Sequence, residues 1–588
     1  MFLMALKGEF FMNVIQEYCR WTEKALKDAD LQTELNAISG QTREIEDRFY
    51  RNLEFGTGGL RGVIGAGSNR MNVYTVAKAT QGYSDYLNDQ FAAPSVAIAY
   101  DSRIKSQLFA ETAAAVFATN GIRVHLYAEL MPTPSLSFAV RHLHCSGGIV
   151  ITASHNPAKY NGYKVYGADG CQITLEAAKR ILKKIDATDV FAGVRDSNFK
   201  EGVKQGLIQY IGEETVTAYL DAVSTQAIRK AGLTRDVSIV YTPLNGAGLK
   251  CVTRCLRENG FGRITVVESQ REPDGNFPTC PYPNPEIREA LEEGLKCARQ
   301  VGSDLLLATD PDCDRVGVAV RHGGDYALIS GNEMGILLFD YVCKSRTELG
   351  CMPDHPVAVK TIVTTDMLFP IAKHYGVDVI EVLTGFKFIG EQIGVLEQQG
   401  RERDYILGFE ESYGYLSGGY VRDKDAVNAS LLICEMFAYY KAQGKSLVDV
   451  LNGLYKTYGV YRDFLEAFTF EGAAGFETMQ NIMCNFRAAP PREVAGRRLL
   501  AVTDYQRLTR SVLGGVEERL SLPAADVLKY EFEGDSAVIM RPSGTEPKLK
   551  LYYSIKAPTH MAAEQFGEAL SLSFSKRIGG VDHTYMIF

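Results

Sequence analysis

Short apolar runs alternating with longer amphipathic stretches constrain this chain more than any other feature. Beyond Arg70, Val96–Tyr100, Val124–Tyr127 and Gly148–Thr152 read as strands, with Leu108–Thr119 and Leu136–Leu143 as the helices between them. The texture returns at Val237–Tyr241, Ile264–Val267, Asp304–Ala308, Val357–Lys360 and Val377–Val382. Strands separated by helix-length segments pack as α/β layers with largely parallel pairing. Upstream, Val14 to Leu53 carries apolar residues near 3.6 spacing and reads as helical. Met12 opens the better amphipathic helix, which marks Met1–Phe11 as a dispensable extension. The C-terminal part differs: Ala537–Met540 and Leu549–Ile555 are strands about a turn-rich centre, an α+β unit of its own.

Four of the apolar runs end in a polar loop. They are Gly147–Ile151 before Ser154-His-Asn-Pro157, Asp304–Thr309 before Asp310-Pro-Asp312-Cys-Asp314-Arg315, Tyr405–Phe409 before Glu410-Glu-Ser412, and Ala537–Met540 before Arg541-Pro-Ser-Gly-Thr545. The gaps between these units are each domain-sized. Ligands of open α/β sheets lie outside the carboxyl ends of the strands, so four domains aiming one loop each into a shared cleft is the simplest assembly. At about 150 residues per domain, 588 residues suit that number. We place the domains at 1–220, 221–335, 336–460 and 461–588.

Asp310, Asp312 and Asp314 stand at i, i+2 and i+4. Carboxylates so close repel unless a cation gathers them; the bland reading is a solvated acidic turn. An EF-hand is excluded, because its sixth position is Arg315 and its twelfth Arg321. Three oxygen donors suit Mg²⁺, which keeps positions for water or phosphate. No G-x-S-x-G elbow occurs, which disfavours an acyl-enzyme serine. Ser154 on a strand-end loop can instead carry a phosphoryl group, whereas His155 by itself reads as a hydrogen-bonding loop residue. Asn161-Gly162 is a type I′ hairpin signal that would return Lys164 towards the serine, where burial would lower its pKa and let it shuttle protons. Arg541, Ser543, Gly544 and Thr545 combine a guanidinium, two hydroxyls and a turn of amides, a phosphate cradle. Phe55-Gly-Thr-Gly-Gly-Leu-Arg61 is a second Gly-rich loop with an arginine, and it fits neither nucleotide signature.

Net charge of −8 without a basic tract gives no footprint for nucleic acid or an anionic membrane. No apolar run is long enough to span a bilayer. Twelve scattered cysteines without a CxxC read as reduced, mostly buried thiols of a cytoplasmic protein. The prolines at 273, 278, 281, 283 and 285 mark Glu272–Glu286 as a stiff surface loop.

Taken in order, Gly58-Gly-Leu-Arg61-Gly, Thr152-Ala-Ser-His-Asn-Pro157, Asp310-Pro-Asp-Cys-Asp-Arg315, Gly408-Phe-Glu-Glu-Ser-Tyr-Gly414 and Arg541-Pro-Ser-Gly-Thr545 resemble the α-D-phosphohexomutase superfamily, the phosphoglucomutases and phosphomannomutases, over nearly the whole chain. The resemblance implies three related α/β domains with mixed sheets and a smaller C-terminal α+β domain around a central cleft. It implies a phosphoserine at Ser154, Mg²⁺ held by Asp310, Asp312, Asp314 and the serine phosphate, and Lys164 as general acid/base. Arg61 and Arg315 would flank the phosphoserine, Glu410 and Ser412 would grip the sugar hydroxyls, and Lys424 with the Arg541–Thr545 loop would hold the non-reacting phosphate. The implied activity interconverts glucose 1-phosphate and glucose 6-phosphate, with mannose phosphates secondary and glucose 1,6-bisphosphate as activator, in a monomer or homodimer. Ala153 stands where many bacterial members have Gly, and the absence of Gly-His after Ser412 disfavours an amino sugar. The length and the Phe-Glu-Glu-Ser-Tyr-Gly-Tyr loop resemble a long subgroup that also contains phosphopentomutases and glucose-1,6-bisphosphate synthases, which stay as alternatives.

Overall fold

The N-terminal helical stretch forms three helices, Phe2–Lys24, Ala29–Ala37 and Thr42–Phe49, in a computed structural model that describes residues 2–56, 58–195, 198–470, 472–543, 548–579 and 583–587. The first runs through Met12 without a break. Trp21, the chain's single tryptophan, is fully buried where this layer meets the first sheet's helices, edge-on to Phe49, Tyr74 and Phe191.

Four sheets follow among the described residues. The first comprises β1 (Gly59–Val63), β2 (Ser95–Tyr100), β3 (Arg123–Tyr127), β4 (Gly147–Ile151), β5 (Tyr160–Gly167) and β6 (Ile208–Ile211), ordered β1-β5-β4-β2-β3-β6. Its β4, β2, β3 and β6 are parallel, and β5 runs antiparallel to both its neighbours. Both faces of β2 and β4 are buried, as helix-covered parallel strands require.

The second sheet comprises β7 (Ile239–Thr242), β8 (Ile264–Val266), β9 (Leu305–Thr309), β10 (Val316–His322) and β11 (Asp325–Ile329), ordered β11-β10-β9-β7-β8. The third has β12 (Val357–Thr361), β13 (Asp378–Val382), β14 (Tyr405–Glu410) and β15 (Gly414–Leu416), ordered β13-β12-β14-β15. Each mixes parallel strands with an antiparallel edge.

The fourth is antiparallel and nine-stranded, built from β16 (Val460–Thr469), β17 (Glu493–Val494), β18 (Arg497–Asp504), β19 (Thr509–Val512), β20 (Glu517–Arg519), β21 (Leu528–Phe532), β22 (Ser536–Pro542), β23 (Lys548–Ala557) and β24 (His583–Ile587). The helix His560–Ile578 packs on β16 and β23, where Phe464, Leu551, Phe566 and Phe574 share a core. Ile362, Leu383, Leu465 and Tyr552 join the third unit to the fourth. Three layered α/β units with mixed sheets and a β-rich C-terminal unit are the expected fold class.

One local expectation fails and a second holds in part. Asn161-Gly162 is no turn: both residues lie inside β5, paired with Gly62 and Arg61 of β1. Glycine is required there for a different reason, since a Cβ at 162 would fall 2.5 Å from the Thr152 carbonyl oxygen and 2.9 Å from that of Leu60. Backbone on both sides leaves no room to relax, so Gly162→Ala is expected to cost about 3 kcal/mol, read as a lower urea midpoint at unchanged slope.

The proline-rich loop is not merely a surface feature either. Phe277, Cys280, Pro283 and Pro285 are buried, and a Cβ on Gly275 would lie 2.4 Å from the Ile104 nitrogen of the first unit. The prolines stiffen an inter-domain clamp.

Candidate active site

The chain leaves β4 through a turn in which Ser154 adopts φ +52°, a left-handed conformation uncommon for a residue with a Cβ. Its N–H donates to Thr152 Oγ1 (2.8 Å), whose own hydroxyl donates to Asp101 Oδ2 (2.6 Å). The Ser154 hydroxyl donates to Asp310 Oδ2 across the domain boundary at 2.8 Å, and the ring Nδ1 of His155 lies 3.3 Å from the same hydroxyl oxygen. Burial, then Arg315 and Arg61, hold His155 well below the usual imidazole range, so it is neutral. Arg61 donates to Asn156 Oδ1 at 3.2 Å and so flanks the turn.

Behind β9 the three aspartates are buried, with one carboxylate oxygen of each within 4.8 Å of the others. Asp310 Oδ1 accepts the N–H groups of Asp314 (3.1 Å) and Arg315 (3.0 Å). Asp312 Oδ2 accepts from Thr133 Oγ1 (2.9 Å) and Lys164 Nζ (2.8 Å); Asp314 Oδ2 faces Lys164 at 3.3 Å and Lys424 at 2.8 Å. Asp312 Oδ1 and Asp314 Oδ1 are buried without a hydrogen-bond partner among the described residues. Buried acceptors are normally satisfied, and orphaned oxygens in an all-oxygen set fit a hard divalent cation of the Mg²⁺ type.

Charge is unevenly distributed in this cluster. Burial, then Asp312 and Asp314, push Asp310 well above the carboxylate range. Burial also acts to raise Asp312 and Asp314, but the neighbouring Lys164 and Lys424 outweigh it and hold both below their ordinary value. Burial pulls Lys164 down, yet Asp312 and Asp314 outweigh it and leave the ammonium above its ordinary value. The expected lowering of Lys164 by burial is therefore reversed by partners from another domain.

Arg315 donates to Glu286 at the end of the proline-rich loop (2.7 Å), and its Nε lies 3.7 Å from Asp314. In the third unit, Glu410 and Glu411 are buried at the end of β14, Ser412 is half-buried, and Tyr413 turns the loop at φ +63°. Burial and then Glu410 push Glu411 up to about 7, partly offset by Arg541 of the fourth unit. Lys424, expected at a phosphate, has its ammonium on Asp314 and Asp423. Gly414 lets it pass, for a Cβ there would meet Lys424 Cδ at 2.5 Å. Ser543 N–H donates to the Lys548 carbonyl at 2.8 Å; Gly544 and Thr545 lie outside the described residues.

The structure thus brings Ser154, His155, Lys164, Arg61, the three aspartates, Arg315, Glu410 and Lys424 to one place, with Arg541 beside the neighbouring Glu411. Sequence reasoning missed Asp101, Arg103, Thr133, Glu286 and Glu411. Tyr100-Asp-Ser-Arg103 repeats the signal that found the others, an apolar strand ending in charged residues.

Family descriptions for phosphoglucomutase/phosphomannomutase α/β/α domains I, II and III match residues 52–190, 217–324 and 330–458. A phosphoglucomutase of Staphylococcus aureus (strain USA300) is 36% identical over 534 residues, covering 88% of this chain and 92% of that protein. Two solved structures share the fold. A phosphoglucomutase/phosphomannomutase family protein from Burkholderia thailandensis has a TM-score of 0.65 at 19% identity, covering 90% of this chain and 98% of its own. The open form of pp63/parafusin, a Paramecium phosphoglucomutase, has a TM-score of 0.65 at 17% identity, covering 91% and 98%. With family domains over most of its length and a relative at 36% identity, the chain belongs to the phosphoglucomutase/phosphomannomutase family of α-D-phosphohexomutases.

Proposed function

We propose that the protein is a phosphoglucomutase, an isomerase that interconverts α-D-glucose 1-phosphate and glucose 6-phosphate through phospho-Ser154 and a 1,6-bisphosphate, with mannose phosphates as secondary substrates. The observation that carries this reading is the Ser154 hydroxyl 2.8 Å from Asp310, within a cluster of carboxylates and cations drawn from three domains. The name of the Staphylococcus relative supports the choice of glucose.

Phospho-Ser154 gives its phosphoryl group to a sugar hydroxyl: the P–Oγ bond breaks, a P–O bond to the sugar forms, and the hydroxyl proton leaves. Lys164, an ammonium paired with Asp312 and Asp314, is placed to give a proton to the departing Ser154 Oγ as it takes the one the sugar hydroxyl loses, and the same exchange runs backwards in the reverse step. Arg61 and Arg315 balance the nearly two negative charges of the phosphoserine. Asp310, Asp312 and Asp314 would hold Mg²⁺, which when bound supplies positive charge to the transferring phosphoryl group. Glu410 and Ser412 orient the sugar, while Lys424, Arg541, Ser543, Gly544 and Thr545 hold the other phosphate. The cradle must accept either end of the bisphosphate, so glucose 1,6-bisphosphate primes the enzyme.

The four domains are taken as 1–220, 221–335, 336–460 and 461–588, in a monomer or homodimer whose partners are sugar phosphates and neither nucleic acid nor membrane. Among the described residues no helix is long and apolar enough to cross a membrane. All twelve cysteines are free thiols, which supports a cytoplasmic location.

Phosphorus NMR of glucose 1-phosphate with enzyme, Mg²⁺ and a trace of glucose 1,6-bisphosphate tests the reading. Growth of the 6-phosphate signal without inorganic phosphate is the expected result. Isomerisation of ribose 1-phosphate alone, or release of free phosphate, would overturn it.

A further inference from the structure

The serine turn is braced from behind by a pair that the reaction scheme leaves unused. Asp101 and Arg103 follow β2, with both side chains fully buried and 3.4 Å apart. Asp101 Oδ1 accepts the Arg103 N–H (2.9 Å) and the Ser106 hydroxyl (2.8 Å), while Oδ2 anchors Thr152, which in turn receives the Ser154 N–H. Arg103 gives its guanidinium to four carbonyls of the segment that runs from β4 into the start of β5. Nη2 donates to Ser154 and Asn156, and Nη1 to Pro157 (3.0 Å) and Tyr160 (3.1 Å). The turn at Ser154 is thereby held through its N–H on one side and its carbonyl on the other.

The brace reaches into the neighbouring domain. The ring of Phe277, in the proline-rich loop, lies over the Arg103 guanidinium at 5.1 Å, and the contact of Gly275 with the backbone at Ile104 seats that loop. The far end of the same loop carries Glu286, which holds Arg315. One segment of the second domain therefore touches the support of the serine and the arginine that flanks it.

We propose that Arg103, seated on Asp101 and covered by Phe277, is a positioning residue for phosphoryl transfer, one that aims Ser154 Oγ and ties that aim to the docking of the second domain. The inference rests on the reading of Ser154 as the phosphoryl carrier. A lysine cannot replace it, because one ammonium does not present donors along two directions of a planar fork to four carbonyls. Misplacement of a reacting atom by about 1 Å costs on the order of 100-fold in rate, and that sets the scale of the expected effect.

The experiment compares wild type, Arg103→Lys, Arg103→Ala and Phe277→Leu, full length and with Mg²⁺. It reads kcat and KM for glucose 1-phosphate, phosphate on Ser154 by intact mass, and the thermal midpoint. Arg103→Lys is expected to lose about 100-fold in kcat with KM nearly unchanged, and Phe277→Leu to lose less in the same pattern. Arg103→Ala should regain part of its kcat with millimolar guanidinium ion and none with ammonium. Wild-type kcat in Arg103→Lys, or losses in every variant that only match the loss of folded protein, would overturn the proposal. If Arg103→Lys does not fold, Phe277→Leu decides: unchanged kcat overturns it. A wild type that never carries phosphate on Ser154 would instead overturn the phosphoserine reading, whatever the variants do.

Discussion

Ser154→Ala removes turnover by about four orders of magnitude or more, on the scale seen when a covalent catalyst loses its nucleophile, while glucose 1-phosphate still binds. Among the described residues the hydroxyl bonds to Asp310 Oδ2 and the His155 ring, and the backbone bonds of Ser154 do not involve Oγ. The variant should therefore fold with the turn in place. Phosphorus NMR reads the loss of conversion, and calorimetry with glucose 1-phosphate reads the retained affinity. Appreciable turnover in the variant would remove Ser154 from the reaction.

Asp312→Asn is expected to lower kcat by about 10³-fold, the upper scale for deleting one preorganised electrostatic group, and to abolish stabilisation by Mg²⁺. The substitution keeps the shape but removes the charge that Lys164 and the orphaned Oδ1 geometry are built around. The pH dependence gives a second readout. Asp310 is raised when folded, so its contribution to stability is complete below the unfolded value near 3.9 and is lost as pH rises through the elevated one. Asp312 and Asp314 are lowered, so their contributions are already present above that value and are lost only in stronger acid. The metal-free wild type thus becomes less stable, through Asp310, as pH climbs above the ordinary carboxylate range. The thermal shift produced by Mg²⁺ should accordingly grow as pH rises above the ordinary carboxylate range, because binding then displaces a proton from Asp310. In Asp312→Asn the shift should be absent throughout. A shift independent of pH in the wild type would mean that Asp310 is ionised before metal arrives.

The strand-end loops were legible because their signals are local. An apolar run ending in charged or hydroxyl residues announces a strand that delivers polar groups to its carboxyl end, and carboxylates at alternate positions announce a cation. What escaped depends on contacts between distant segments. Asn161-Gly162 carries the composition of a turn, yet the glycine answers to the Thr152 and Leu60 carbonyls on either side of a strand. Arg103 finds its partners more than fifty positions downstream. The charge of Lys164 is set by aspartates of another domain, so burial alone gave the wrong sign. The proline-rich loop looked like surface because proline reports stiffness, not which neighbour the stiff segment presses against.

Trp21, enclosed by aromatic edges in the N-terminal layer, makes the chain's intrinsic fluorescence a spatially selective probe. Red-shifted emission on denaturation would follow the undocking of those helices from the first domain and be nearly blind to the other three. A difference between the emission midpoint and that of far-UV circular dichroism would measure how independently the domains come apart, with no label added.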